Sequence, residues 1–261
     1  MRNIFTIVGR ELRAYFISPI AYAVLTMFAL LSGLFFVDYL GRVMQMAMLA
    51  GMQSAQFGGQ APPMDAPGTL MKAFLGTTGV VLLFMTPMLT MGLFSEEKKR
   101  GTMELLLTAP ITDLQIVLGK FFAASTFMIV LLGTTWVPVS ALYFYAKPAS
   151  GPILVGYLGM FLYGLAIVSI GMFISSATES QIVAGIITFG VLLAMWMSGS
   201  FVQGVDNPII KGVFDYLAVV NHLDDFVKGV LSTTNVIFYL SLTLLGLFLT
   251  YRSIDSLRWR G

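Results

Sequence analysis

The chain has 261 residues, 57% of them hydrophobic and 11% charged, with a formal net charge of +2 and no cysteine. Its mean hydropathy of +0.86 is far from that of soluble domains, in which about a quarter of residues are charged. That excludes a soluble globular enzyme, a disordered tail and a nucleic-acid reader, and the missing thiols exclude a disulfide scaffold, a thiolate metal site and cysteine catalysis.

Seven charge-free stretches punctuate the chain; 43–64 is rejected as a span because it holds four glutamines, Gly58, Gly59, Pro62 and Pro63, which leaves 14–37, 73–95, 121–146, 148–178, 180–205 and 229–251. Each can cross a hydrocarbon core about 30 Å thick, which takes about 20 helical residues. Helices and closed barrels alone satisfy the backbone in lipid, and these runs lack the alternation of barrel strands. The expected fold is therefore all-α and integral to a membrane, with six transmembrane helices.

Residues 1–17 read as an amphipathic interfacial helix. Ile4, Phe5, Val8, Leu12, Tyr15 and Phe16 share one face, with Asn3, Thr6, Arg10 and Arg13 opposite; Arg2 adds a third cation, and Pro19 ends the pattern. Arg2 and the apolar run after it could suggest a signal peptide, but the run is too long and no small-residue cleavage site follows it, so retention is expected. A topology anchor and a connecting element both fit it. The first span is expected at 18–40. Residues 41–70 come next as an outer loop, in which the first helix continues and then frays at Gly58, Gly59, Pro62 and Pro63. Met44, Met46, Met48 and Met52 in this stretch suit gap filling or lipid contact as well as a pliable substrate surface. The second span, 71–95, carries a kink at Pro87.

Residues 96–114 form a charged loop. Glu96, Glu97, Lys98, Lys99 and Arg100 come first, Gly101 breaks the run, and 102–108 is a short helix ended near Pro110. Leu105, Leu106 and Leu107 are too apolar for water and too short to span, so they want a protein groove. Spans three to five fall at 115–146, 152–175 and 181–204, with Pro138 kinking the third. Gly171 and Ser175 suit close helix contact. Residues 205–230 divide into two short apolar halves around Asn221 and His222. This is the pattern of a re-entrant helical hairpin opened by Pro208, with Phe214 and Phe226 on its apolar faces. His222 is the sole histidine, and a satisfied loop residue is the simpler reading than a metal ligand. The sixth span covers 232–252, and 253–261 is a tail.

Six spans put both termini on one side. That side collects Arg2, Arg10, Arg13, Lys98, Lys99, Arg100, Lys120, Arg252, Arg258 and Arg260, ten cations, against five (Arg42, Lys72, Lys147, Lys211 and Lys228) on the other. The positive-inside rule places both termini in the cytoplasm. Catalytic patterns are missing. There is no phosphate loop, Gly119-Lys120 lacks the hydroxyl and glycine spacing, and a single histidine forbids a zinc pair. The spans hold almost no ionisable residues, which argues against proton coupling and places the energy source on another chain.

The run Phe94-Ser95-Glu96-Glu97-Lys98-Lys99-Arg100-Gly101-Thr102-Met103-Glu104-Leu105-Leu106-Leu107-Thr108-Ala109-Pro110 resembles the coupling segment of the ABC-2 type permease family. The six spans, the interfacial helix and the outer hairpin match the same type V exporter-like plan. His222, Phe226, Gly229 and the closing Arg258-Trp259-Arg260 are similar to the gliding-motility-associated subgroup. The resemblance implies that 102–108 is a coupling helix in a groove of a separate ABC ATPase subunit, flanked by Glu96 to Arg100, with Glu179 in a smaller second contact. It implies a second permease chain, identical or related, and in the subgroup a membrane-anchored partner with a large outer domain. No cofactor is expected on this chain: ATP and Mg belong to the ATPase. The expected setting is the bacterial inner membrane, in contact with lipid and not nucleic acid. Three functions stay open: an export permease for a lipid-linked or amphipathic substrate, a mechanotransmitter driving an outer partner, and an integral lipid enzyme. The enzyme would need convergent groups from Asp206, Asp215, His222, Asp224 and Asp225.

Overall fold

The computed structural model describes residues 2–57, 65–104, 110–146, 148–201 and 207–258. All regular elements among them are helices: α1 (Arg2–Ile17), α2 (Pro19–Phe57), α3 (Ala66–Thr90), α4 (Ser95–Lys99), α5 (Asp113–Thr134), α6 (Trp136–Ala146), α7 (Ser150–Ala177), α8 (Gln181–Phe201), α9 (Pro208–Leu217), α10 (Leu223–Val227) and α11 (Thr233–Arg258). Six stretches are long and apolar enough to cross a membrane: Pro19–Met52, Ala66–Lys99, Asp113–Phe144, Ser150–Ala177, Gln181–Ser200 and Thr233–Leu257.

The helix ends obey local chemistry. Pro19 has no amide hydrogen to lose at a first turn, so it opens α2. Asp65 caps α3 by accepting from the Gly68 amide at 3.0 Å. Thr112 and Gln115 form a reciprocal capping box at the start of α5. The third span is one stretch in two helices. It breaks at Thr135, three residues before Pro138, because that proline removes an amide and crowds the carbonyl four residues earlier.

Residues 41–57 continue α2, the extension expected of the first helix, and 66–70 belong to α3. Nothing before Gly58 stops a helix strongly enough: Gly41 and Gly51 each cost only about 1 kcal/mol. At 1.5 Å per residue, the 39 residues of α2 run about 58 Å, nearly twice the hydrocarbon core.

The interfacial helix turns most of its expected face inward, with Ile4, Val8, Leu12 and Tyr15 half-buried, but is rotated towards Ile7. Ile7 is its buried apolar residue, while Phe5 is 74% exposed. Ile7 packs on Gly119 of α5, where an added Cβ would stand 2.6 Å from Ile7 Cγ2. Tyr15 stacks on Phe127 with ring centroids 5.2 Å apart. The apolar stripe is thus shared between protein and surroundings, and α1 is strapped along α5.

The core lies around α7, which meets α11, α3, α10, α5 and α8. Gly171 and Ser175 do form a close contact: a Cβ on Gly171 would sit 2.2 Å from Thr90 Oγ1. By contrast most side chains of α2, α8 and α11 lie outside the fully buried core, as in helices facing lipid or another chain.

Candidate functional site: a charged crook at the termini end and a plug at the hairpin end

At one end of the bundle, α1, α4 and the C-terminal ends of α7 and α11 converge. The turn after α3 is held by one hydroxyl. Ser175 Oγ accepts from the amides of Phe94 (3.0 Å) and Ser95 (3.2 Å) and donates to the Met91 carbonyl at 3.0 Å. The Ser176 carbonyl accepts from Lys98 Nζ and, at 3.0 Å, from Ser253 Oγ of α11. Segments distant in sequence are therefore tied at one point.

Beside this joint lies a neutral cluster of four charges. Lys120 Nζ is 3.0 Å from Glu97 and 3.2 Å from Glu11, and its side chain is only 2% exposed. Arg10 reaches Glu11 at 2.7 Å and Glu97 at 3.2 Å. The Lys120 ammonium also stands 5.2 Å over the Phe94 ring, a favourable cation–π position. Burial opposes the charge on Arg10, but Glu11 and Glu97 outweigh it and hold the guanidinium above its ordinary value. Burial, aided by Glu11, pushes the Tyr15 phenol up, so it remains a neutral donor to the Leu89 carbonyl at 3.1 Å. The cluster joins α1, α4 and α5.

The chain leaves this cluster through a defined stop. Gly101 has φ +68°, the left-handed conformation glycine adopts without penalty. The Thr102 amide donates to the Glu97 carbonyl at 3.0 Å and the Gly101 amide to the Lys98 carbonyl at 3.1 Å. This is a Schellman closure of α4. It reverses the chain so that Met103 is buried and Glu104 exposed. Leu105, Leu106 and Leu107 lie outside the described residues.

The expected docking residues thus divide. Glu97 and Lys98 are half-buried and bonded to this chain. Glu96, paired with Arg100 at 2.5 Å, stays partly exposed, and Lys99, Arg100, Thr102, Glu104, Pro110 and Glu179 are exposed at the same end. Arg13 is exposed too, and Arg2 heads α1. Sequence reasoning missed Glu11 and gave Lys120 only a topological role. The available signals were an acid on the inner stripe of an otherwise basic helix and a lysine inside a charge-poor span.

At the opposite end the two halves of the hairpin differ. Asn207 caps α9 by accepting from the Ile209 amide at 3.0 Å, with Pro208 in its first turn. That helix is largely exposed, Phe214 included, and is tied to α8 where Ser198 Oγ donates to the Phe214 carbonyl at 3.1 Å. The second half, α10, is a plug. Phe226 is fully buried, and a Cβ on Gly159 of α7 would stand 2.3 Å from the Phe226 Cβ. Gly229, at φ +80°, closes α10 by the same Schellman geometry used at Gly101.

His222 joins the plug to α11. Its Nδ1 lies 2.8 Å from Asn235 Oδ1 and its Nε2 3.0 Å from the Tyr216 carbonyl, while Asn235 Nδ2 donates to Asp225 at 2.8 Å. The ring stacks on Phe238 at 3.8 Å. Among the described residues, no three His, Asp or Glu side chains converge as a metal site. His222→Ala is expected to lower stability by about 2 kcal/mol, the order of one net hydrogen bond and a ring contact. His222→Phe should recover only the ring contact. A melting curve of His222→Ala that overlays the native one refutes the staple.

The fold and this site define a multi-pass helical membrane protein whose most elaborate contacts lie at its two ends. Residues 5–253 match the family model described as ABC-2 family transporter protein, and the chain belongs to that family. It is 30% identical over 139 residues to the probable multidrug ABC transporter permease YbhR of Escherichia coli K12, and equally to that of strain O157:H7. The matched region spans 52% of this chain and 37% of those relatives.

Proposed function

We propose that the chain is the non-catalytic permease subunit of an ATP-driven exporter, and that residues 96–110 carry the motion of a separate ABC ATPase into the spans. The crook is the observation that supports this reading. It ties α1, α4, α5, α7 and α11 into one body, yet leaves Glu96, Lys99, Arg100 and Glu104 exposed at its tip. A push on that tip moves several spans together, because buried bonds hold them and interfaces repack in discrete steps. The sequence carries no phosphate loop, so ATP and Mg bind on the partner, which must favour one arrangement of the permease over the other to drive it. The Lys and Arg bias supports cytoplasmic termini in a bacterial inner membrane. The exposed faces of α2, α8 and α11 suit lipid and a second permease chain, identical or related. Few intramembrane charges favour an amphipathic or lipid-linked substrate.

The test is capture of the tagged chain from its native membrane in mild detergent, with mass spectrometry of the co-purifying proteins. An ABC ATPase should accompany the native chain and fall at least tenfold, about 1.4 kcal/mol of binding, when Glu104→Arg and Leu106→Asp are combined. No ATPase under several gentle conditions, or undiminished capture by the variant, defeats the reading.

A second reading is mechanical transmission to a partner beyond the hairpin end, of the kind found in gliding-type complexes. It draws on α2, which outruns the bilayer and holds Met44, Met48 and Met52 exposed at four-residue spacing along the excess length. A large outer-domain protein captured along with the ATPase favours it.

A further inference from the structure

Lys72 makes no ion pair among the described residues, and no hydrogen bond engages it there. It lies in the second turn of α3, at the hairpin end, and is exposed. Of the acids in the same linings, Asp224 is paired with Lys228, and Asp65 accepts from the Gly68 amide at the α3 cap, where its charge faces the helix N-terminus.

Two hollows flank this lysine. One, of about 560 Å³, lies between α2, α3 and the plug and is lined by Tyr39, Thr77, Asn221 and Leu223. The other, of about 280 Å³, lies towards α7 and is lined by Met71, Leu75, Ile153 and Val227. Thr69, Lys72 and Val227 line both. The larger volume falls in the range of about 300–1,000 Å³ common to small-molecule sites. It also holds spare donors. Tyr39 and Thr77 hydroxyls lie 2.6 Å apart; their contact uses one of two O–H protons and leaves the other free. The floor of the smaller hollow is apolar.

A cation and hydroxyl donors beside an apolar trough, at the depth where α3 emerges from its span, match one ligand chemistry. We propose that Lys72 and the hydroxyls around it bind the phosphate or carboxylate head of an anionic amphiphile, whose chain lies in the trough against Leu75 and Ile153. Lys72 supplies the charge, the Tyr39–Thr77 pair supplies a hydrogen bond, and Val227 of the plug forms a shared wall. The site therefore reports the seating of α10. It does not depend on an ATPase partner, so nucleotide-free binding separates its failure from failure of the coupling reading.

The cysteine-free chain allows a direct test. Ala73→Cys places one thiol in the larger hollow, and Ala47→Cys places one on exposed α2 as a control. Each protein is embedded in phosphatidylcholine nanodiscs, and alkylation by a polar maleimide is timed with dodecyl phosphate, inorganic phosphate or dodecyl maltoside. Dodecyl phosphate is expected to slow labelling of Ala73→Cys at least fivefold and to leave Ala47→Cys unchanged. Lys72→Gln should abolish the protection and Lys72→Arg should keep it. Equal protection by dodecyl maltoside, or protection that survives Lys72→Gln, overturns the proposal. Protection by inorganic phosphate at the same concentration overturns the amphiphile and assigns a free anion instead. If Ala73→Cys does not react, Gly76→Cys, in the lining of the same hollow and with open space for a side chain, carries the same comparison.

Discussion

Lys120→Met is expected to destabilise the protein by about 3 kcal/mol, the largest single-residue effect at the crook. The side chains are close in length, so little packing is lost. What changes is charge. Glu11 and Glu97 are 13% and 20% exposed and would be left sharing only Arg10. Removing one partner of a buried pair typically costs about 3–5 kcal/mol, because the remaining charge is neither paired nor hydrated. Residual exposure of the two carboxylates places this case at the lower end of that range. Glu97 Oε2 is already buried without a hydrogen bond, so the site has no spare donor to offer. Glu97→Gln leaves Lys120 with Glu11 and should cost less than half as much. Combining Lys120→Met with Glu97→Gln should recover part of the loss, since the second change removes one of the stranded charges. Melting of the purified chain in detergent gives the numbers, and ATPase capture reads the functional side. Should Lys120→Met melt within about 1 kcal/mol of the native protein, well short of the cost of breaking a buried pair, the cluster is not what holds α1 and α4 to α5.

Phe226→Ala is expected to cost about 3 kcal/mol and to unseat the plug. Buried Phe→Ala changes cost about 3–5 kcal/mol in soluble cores. Here lipid in place of water weakens the transfer part and leaves the packing part. The reciprocal change, Gly159→Leu, fills the seat from the other side. Its Cβ alone would overlap the Phe226 side chain, with Cγ at 2.4 Å, so the chain must move or α10 must leave. Overpacking of this kind costs about 1–3 kcal/mol. Both variants should speed protease cleavage after Lys228, which the docked plug protects. Native cleavage rates in both would show that α10 is not held by this contact. Phe226→Leu, which keeps most of the volume, should stay close to native.

The two ends were legible in the sequence to different degrees. Gly101 was readable as a break, because a positive φ is a local property of one residue. Its consequence, a Schellman reversal that exposes Glu104, arises from the same few residues. The hairpin was visible as two apolar halves too short to span. That one half is a plug and the other an exposed helix was not visible, since it depends on Gly159 and Gly79 of other helices making room. His222 read as a satisfied residue and is one, but its partners Asn235 and Tyr216 come from the fold. The continuation of the first helix as far as Phe57 was legible too, because glycine is a weak stop and Gly58 follows.

By itself the sequence determined the number of spans, their approximate ends, and the presence of a charged loop and a re-entrant pair. Those are decided over about 20 residues or fewer by hydropathy, proline and glycine, and lipid enforces them by leaving the backbone no other way to bond. Only the tertiary structure decided which charges meet. Lys120 and Glu11 are 109 positions apart, and Glu97 was one of five adjacent charged residues with equal claim to face outward. Packing α1 against Gly119 brings Glu11 to Lys120. Once that lysine is shut from water, it must take the nearest acids.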